Sequence, residues 1–562
     1  MRRTARDGDE ISARLAEISG WQTATRDDGK VAAELHETRT VDQVHGLNEA
    51  AFFDEFFNYI REIGLWPLLE GLDPGERRGA LHPFMRCVLF TIMRCVGGVQ
   101  SMLATRDVLL TDEALMGLLG FNAVQVQSGS NARGSSRRSR PVAIRGPFSY
   151  ETVADNIVRV GPAQLAAMFN GAIRCLAARS VFPKDIDAVL DATDDEATPK
   201  YKTDDGRAVP SVRRAKRPDV RANRHAQKSE VTVWGWKVWV VWEPVSKIPL
   251  ALAIDGINEP DNLHAYEVVA QARHNVSGFA RIRSVALDRG FLDGKVLSRL
   301  DDDGIVIHIP AKTNLNITKD AREIAHRAAH DAGQGRSLEG CTYRERHETV
   351  VHGAGKNAVR EQRTTALVGI EELPCDWWGA EGSSSAANSK DFQPKLLNAT
   401  VVLRWDGAPK DAEKEIVILT TNRAKDPFVA FDAYDDRSLI ENTCNREAKE
   451  AWFLERHPKR SEGGVRVHAY FVFVCMALVA AFRLAKAQSD RAAQHGEETG
   501  ITRYRRQLKA QNGDKVVVFT GKHFGIFRQF EFALLAGLTV RDRAVMGESV
   551  QTVLERYGAG HY

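Results

Sequence analysis

The chain has 562 residues, 43% hydrophobic and 27% charged, a globular balance that excludes disordered and fibrous classes. Its length suggests about three to four folding units. Lys and Arg number 77 against 74 Asp and Glu, so a formal charge of +3 leaves any nucleic-acid signal to local clusters. The seven cysteines are scattered without CxxC spacing, which fits a reducing compartment and excludes a disulfide framework or a cysteine zinc site. The sixteen histidines show no HExxH spacing either.

Residues 1–40 are polar and read as a weakly ordered lead-in without the apolar stretch of a secretory signal. Residues 41–180 read as a helical region. Phe52, Phe53, Phe56, Phe57 and Ile60 recur at helical spacing, and an apolar helix follows over Leu81–Val96. That helix carries Arg86 and Arg94, and the later apolar run from Tyr470 to Leu484 is shorter than the roughly 20 residues a span requires, so both read as buried helices and no membrane association is expected. Residues 122–145, rich in Gly, Ser and Arg (Arg133, Arg137, Arg138, Arg140, Arg145), read as an exposed basic loop and a site for phosphate neutralisation.

From Val181 the period changes. Ile186–Asp191 is a short β run ending in an acid, followed by a basic loop whose Arg213, Arg214, Lys216 and Arg217 are a second candidate site for phosphate neutralisation. Val231–Trp242, with Trp234, Trp236, Trp239 and Trp242 read as sheet packing, and Pro249–Ile254 supply two further strands. Asp261 is expected to cap a helix reaching Arg273, and Arg281–Asp288 is a fourth strand, also ending in an acid. A helix near Gly294–Leu300 and a strand Ile305–Ile309 complete a βββαβαβ order, which predicts an α/β unit over 181–311 with a mixed sheet flanked by helices.

Regularity then stops. Residues 312–410 are expected to be an inserted β-rich subdomain, because a loop of that length does not fit inside a compact domain. Trp377 and Trp378 lie there; core packing is the stronger reading for them, and a platform for stacking a flipped base the alternative. The α/β unit resumes over 411–485, with a strand at Glu415–Thr421 and a long helix from Tyr434 to Arg456. Residues 486–562 read as a helical, basic C-terminal region that includes Arg503–Arg506.

Asp191 and Asp288 close separate strands, where an open sheet gathers its functional groups. Carboxylates clustered there are ligands for hard cations, and a pair of such ions serves phosphodiester displacement. Glu441 is the natural third acid. Asp187, on the same strand face as Asp191, is the alternative to it. Tyr434 and Arg437 precede Glu441 by seven and four residues, which sets all three on one helix face.

Three segments carry a resemblance: Leu190-Asp-Ala-Thr193, Ala286-Leu-Asp-Arg-Gly-Phe291 and Tyr434-Asp-Asp-Arg-Ser-Leu-Ile-Glu441. Together they resemble the DDE transposases of bacterial insertion sequences, in the branch with a β-rich insertion and a Tyr-x-x-Arg-x-x-x-Glu signature. The resemblance covers roughly residues 181–485. It implies an RNase H-like core, two Mg²⁺ or Mn²⁺ ions held by Asp191, Asp288 and Glu441, and DNA contacts from Tyr434 and Arg437. It also implies cleavage at transposon terminal inverted repeats, strand transfer into target DNA, a homodimer assembled on DNA, and a bacterial cytoplasmic, nucleoid-associated location. The signature's Lys, seven residues after the Glu, is Ala448 here, with Lys449 one position later. In a regular helix that moves the side chain about 100° around the axis. Two other readings stand beside this one: a transposase-derived DNA-binding protein that does not cut, and a stand-alone nuclease of the same fold.

Overall fold

The computed structural model describes residues 24–48, 50–75, 83–122, 126, 149–216, 229–352, 359–379, 395–408, 414–489, 513–521, 523–538 and 549–559. It forms two compact units, Phe169–Ala451 and a second built from Met1–Met168 with Trp452–Tyr562.

Phe169–Ala451 is built on one mixed sheet. Its strands are β1 (Asp185–Ala197), β2 (Ser211–Lys216), β3 (Ser229–Glu243), β4 (Ile248–Gly256), β5 (Arg281–Leu287), β6 (Val306–Pro310), β7 (Cys341–His352), β8 (Val359–Cys375), β9 (Lys395–Trp405) and β10 (Ile416–Thr420). The order across the sheet is β2-β3-β1-β5-β6-β10-β9-β8-β7, with β4 also paired to β3. β5 runs parallel to β1 and to β6, and the other pairs are antiparallel. Helices α1 (Ala265–Val276), α2 (Gly294–Asp302), α3 (Asn316–Gly333) and α4 (Pro427–Leu439) connect or flank the strands. This is the α/β, RNase H-like arrangement expected: an antiparallel meander, then parallel strands joined through helices.

Several expectations are corrected. The basic stretch begins as a strand, because Ser211–Lys216 pairs with Ser229–Trp234. Asp261 does not cap α1; His264 holds that position, while the Asp261 carboxylate accepts from Lys237 Nζ at 2.7 Å. Residues 312–410 open with the eighteen-residue helix α3, and their strands β7, β8 and β9 extend the central sheet instead of forming a separate one. Trp236, Trp239 and Trp242 are fully buried, as sheet packing requires.

Gly235 marks where β3 changes its outer partner from β2 to β4. Its φ is +145°, and a Cβ there would lie 2.2 Å from the Asp195 carbonyl oxygen. Only glycine fits so close a backbone approach.

The other unit holds the helices Ala50–Glu62, Phe84–Gly97 and Glu462–Ser489. Phe52 and Phe56 pack edge-on against Phe482. Glu462–Lys486 is long and apolar enough to cross a bilayer by composition, and 89% of its most apolar stretch is buried against the protein itself. The arginines that interrupt Phe84–Gly97 are buried and donate to carbonyls, Arg86 to Gly120 and Arg94 to Arg456. The chain ends form a small sheet in which Thr25–Arg26 and Gln43–Gly46 flank strands Lys515–Thr520 and His523–Arg528. Residues 24–40 are therefore ordered, with a helix over Asp28–Thr38, and the C-terminal region is not purely helical.

Candidate active site

The parallel register of β1 and β5 ends at the pair Leu190 and Leu287. Asp191 and Asp288 are the next residues of their chains, so backbone pairing alone brings the two acids to the same edge of the sheet. Asp191 does not end its strand, contrary to expectation. β1 runs on to Ala197 because β3 keeps pairing with it after β5 has left. Asp187 is taken up elsewhere, bonded to Arg283 Nε at 2.9 Å and to Ser284 Oγ at 2.6 Å.

The third acid comes from a helix that starts earlier and ends sooner than its sequence pattern predicts. Asp426 caps α4 by accepting from the Phe428 amide, and Pro427 fills the first turn, where its missing N–H costs nothing. Phe428, Ala430 and Phe431 bury one face against Leu367, Val402, Ile416 and Ile418 of the sheet. After Leu439 the helix widens into a π turn over Ile440–Asn445, then returns to α geometry in α5 (Arg446–Glu450). The Arg446 amide donates to the Glu441 carbonyl, the i→i+5 bond that defines such a turn.

Arg437 joins the acids. Its Nη1 lies 3.1 Å from Glu441 Oε1 and 3.5 Å from Asp288 Oδ1. Tyr434 lies alongside, with the Arg437 guanidinium 5.6 Å from its ring centre, and burial raises its hydroxyl pKa. Asp191 is 9% exposed and accepts from Asn445 Nδ2 at 2.8 Å. Its pKa is pushed up to about 7, chiefly by burial and further by the charges of Glu441 and Asp288, against the Ala192 amide and the Arg437 cation. Arg437 thus pairs with two of the predicted acids, and the third, Asp191, senses the charges of both and of the arginine.

Asn445 was not legible in the sequence; its only signal is a position four residues after Glu441. Lys449 was expected to stand about 100° from the signature's position, on a side chain long enough to reach DNA. A π turn takes up one residue more than an α turn, so the eight residues from Glu441 to Lys449 count as seven α residues, within about 20° of two full turns. Ala448, which holds the signature's position by number, is fully buried.

The other predicted contacts divide. Arg213 is exposed on β2, and Arg214 is tied to Asp194. Lys216 ends β2. Arg217, most of the 122–145 loop and Arg503–Arg506 lie outside the described residues. Trp377 is 2% exposed, the burial that core packing calls for. Trp378 lines a small apolar cavity with Leu297, Ile307 and Leu397 and carries Lys395 Nζ 5.8 Å from its ring centre.

Among the described residues no three His, Cys, Asp or Glu side chains converge closely enough to hold a metal ion. The donor chemistry nonetheless fits a hard divalent cation. Arg437 pairs with two of the carboxylates, and the pKa of the third, Asp191, is raised by burial and by the charges of the other two, a balance that a cation would relieve.

Comparison with curated proteins found no match. Among solved structures, the chain is similar to a piggyBac transposase in a synaptic complex with hairpin DNA, at 11% identity and a TM-score of 0.34, over 88% of this chain and 82% of that one. Residues 183–479 match the family described as the transposase DDE domain. That match spans more than half of the chain and takes in Asp191, Asp288 and Glu441, so the protein belongs to the transposase DDE domain family and is a DNA transposase.

Proposed function

We propose that Asp191, Asp288 and Glu441 are the catalytic carboxylates of this transposase, and that they hold two Mg²⁺ or Mn²⁺ ions for DNA cleavage at transposon ends and strand transfer into target DNA. The observation that carries this reading is the shared register end at Leu190 and Leu287, with Arg437 bridging from Asp288 to Glu441. The bound ions supply charge neutralisation at the scissile phosphate and lower the pKa of the attacking hydroxyl.

The protein's own residues set the rest. Asp191 directly follows the last residue paired on both sides and is itself still paired to Val240, so its carboxylate rides on the sheet and not on a loop. Glu441 and Arg437 ride on one helix, and Arg437 and Tyr434 are placed to meet DNA phosphates beside the acids, as Lys449 is one turn beyond Asn445. Arg213, exposed on β2, adds a phosphate contact. Because strand transfer joins two transposon ends, the active assembly in this reading is a homodimer on DNA.

The test is Asp288→Asn in a plasmid excision assay. Excision is lost while folding and DNA binding are retained; near-normal excision removes Asp288 from the site. Strand transfer of pre-cut ends then separates a transposase from a nuclease that only cuts.

A further inference from the structure

Arg437, Glu441, Asn445 and Lys449 recur at strict four-residue intervals. In an α-helix each such step drifts by about 40°, so Lys449 would stand about 120° round the axis from Arg437. The π turn Ile440–Asn445 takes up one residue and with it about 100° of that drift. The four polar side chains are thereby brought into one line along the helix, while Ile440, Cys444 and Ala448 form a buried row beside them. A π turn replaces short α hydrogen bonds with longer, less regular ones, and such turns recur at functional sites.

Within this line Asn445 stands apart. It is 7% exposed, and its amide nitrogen is given to Asp191 Oδ2. Its Oδ1 is buried and has no hydrogen-bond partner among the described residues. A buried amide that meets only half of its hydrogen-bonding capacity is a costly choice for a packing position, where an apolar side chain of the same shape would serve.

We propose that Asn445 is a positioning residue for the metal-binding carboxylate of Asp191, delivered to it by the π turn. This rests on the reading of Asp191, Asp288 and Glu441 given above. Together with the Ala192 amide, the Asn445 amide fixes the orientation in which the Asp191 carboxylate would hold a cation, the part that outer-shell partners play at metal sites. It touches neither DNA nor the reacting atoms, and its effect runs through Asp191.

The test is Mn²⁺ uptake by the full chain, followed by electron paramagnetic resonance titration well below the melting temperature, with the melting temperature recorded for each variant. Asn445→Ala is expected to weaken Mn²⁺ binding by about 10- to 100-fold. Asn445→Leu, similar in shape and lacking the donor, gives the same loss and guards against a packing defect. A merely structural role would lower the melting temperature and leave the Mn²⁺ affinity of the folded protein unchanged. If both variants bind Mn²⁺ as the wild type does while Asp288→Asn does not, the role of Asn445 is overturned and the acids stand. If Asp191→Asn, Asp288→Asn and Glu441→Gln all keep wild-type affinity, the reading of the acids fails and the role of Asn445 falls with it.

Discussion

The guanidinium of Arg437 reaches Glu441 one turn further along its helix at 3.1 Å, and only 12% of the arginine side chain meets solvent. The same nitrogen faces Asp288. A cation enclosed among acids does for the metal-free protein what a metal does when bound: it offsets repulsion that would otherwise push the carboxylates apart.

Replacing it exposes that repulsion. Arg437→Ala should destabilise the metal-free protein by about 1 kcal/mol, a modest figure because Asp288 and Glu441 are themselves open to screening. Arg437→Lys should recover part of the loss, since a single ammonium nitrogen with three donors can face both carboxylates as Nη1 does. Urea denaturation with and without Mg²⁺ measures both, and the deficit of each variant should shrink when the cation is added.

Asp191 makes stability depend on pH. A carboxyl whose pKa is higher in the folded than in the unfolded state keeps its proton longer when folded. Its contribution is therefore present below the unfolded value of about 4, is lost as pH rises to the folded value of about 7, and is level above that. The stability difference between metal-free wild type and Asp191→Asn should change across that interval and nowhere else. Melting temperatures at half-unit pH steps test it, and a difference that is flat from pH 4 to 7 would show that Asp191 ionises normally.

Gly235→Ala should cost about 1–3 kcal/mol, through a Cβ forced onto the Asp195 carbonyl and a φ that L residues rarely adopt. Because the strain falls on the pairing of β3 with β1, the loss should appear as a lower denaturation midpoint in the catalytic unit. An unchanged midpoint would mean that the strands part there without penalty.

On the helix Gln529–Leu535 that follows the terminal sheet, Glu531 is 1% exposed and accepts from the Tyr557 hydroxyl at 2.7 Å, from the Arg528 backbone amide at 2.9 Å and from Arg556. Glu531→Ala leaves three donors without their acceptor and should cost about 2 kcal/mol. Proteolysis would read this as earlier cleavage within residues 513–559.

How much of this the sequence disclosed follows from how each element is made. The acids were legible because each lies in a short motif beside a regular strand or helix. The strand Lys515–Thr520 was lost among helices: one partner, His523–Arg528, follows it directly, but the other, Gln43–Gly46, lies at the far end of the chain, and local pattern carries no trace of it. Helix α3 was missed because alanines dominate its buried face, Ala321, Ala325 and Ala328, and alanine gives little hydrophobic contrast. The π turn could not be read at all: it changes hydrogen-bond partners without changing composition, and Asn445 went unseen with it.

The sheet that unites the chain ends has a kinetic corollary. Thr25 pairs with His523 and Val44 with Val518, so these two strands have no partners until the chain beyond residue 515 has left the ribosome. Closing a loop of that size is slow. The helix Asp28–Thr38, whose apolar side is covered by residues from 516 onward, must wait exposed through synthesis, the interval in which a chaperone would find it.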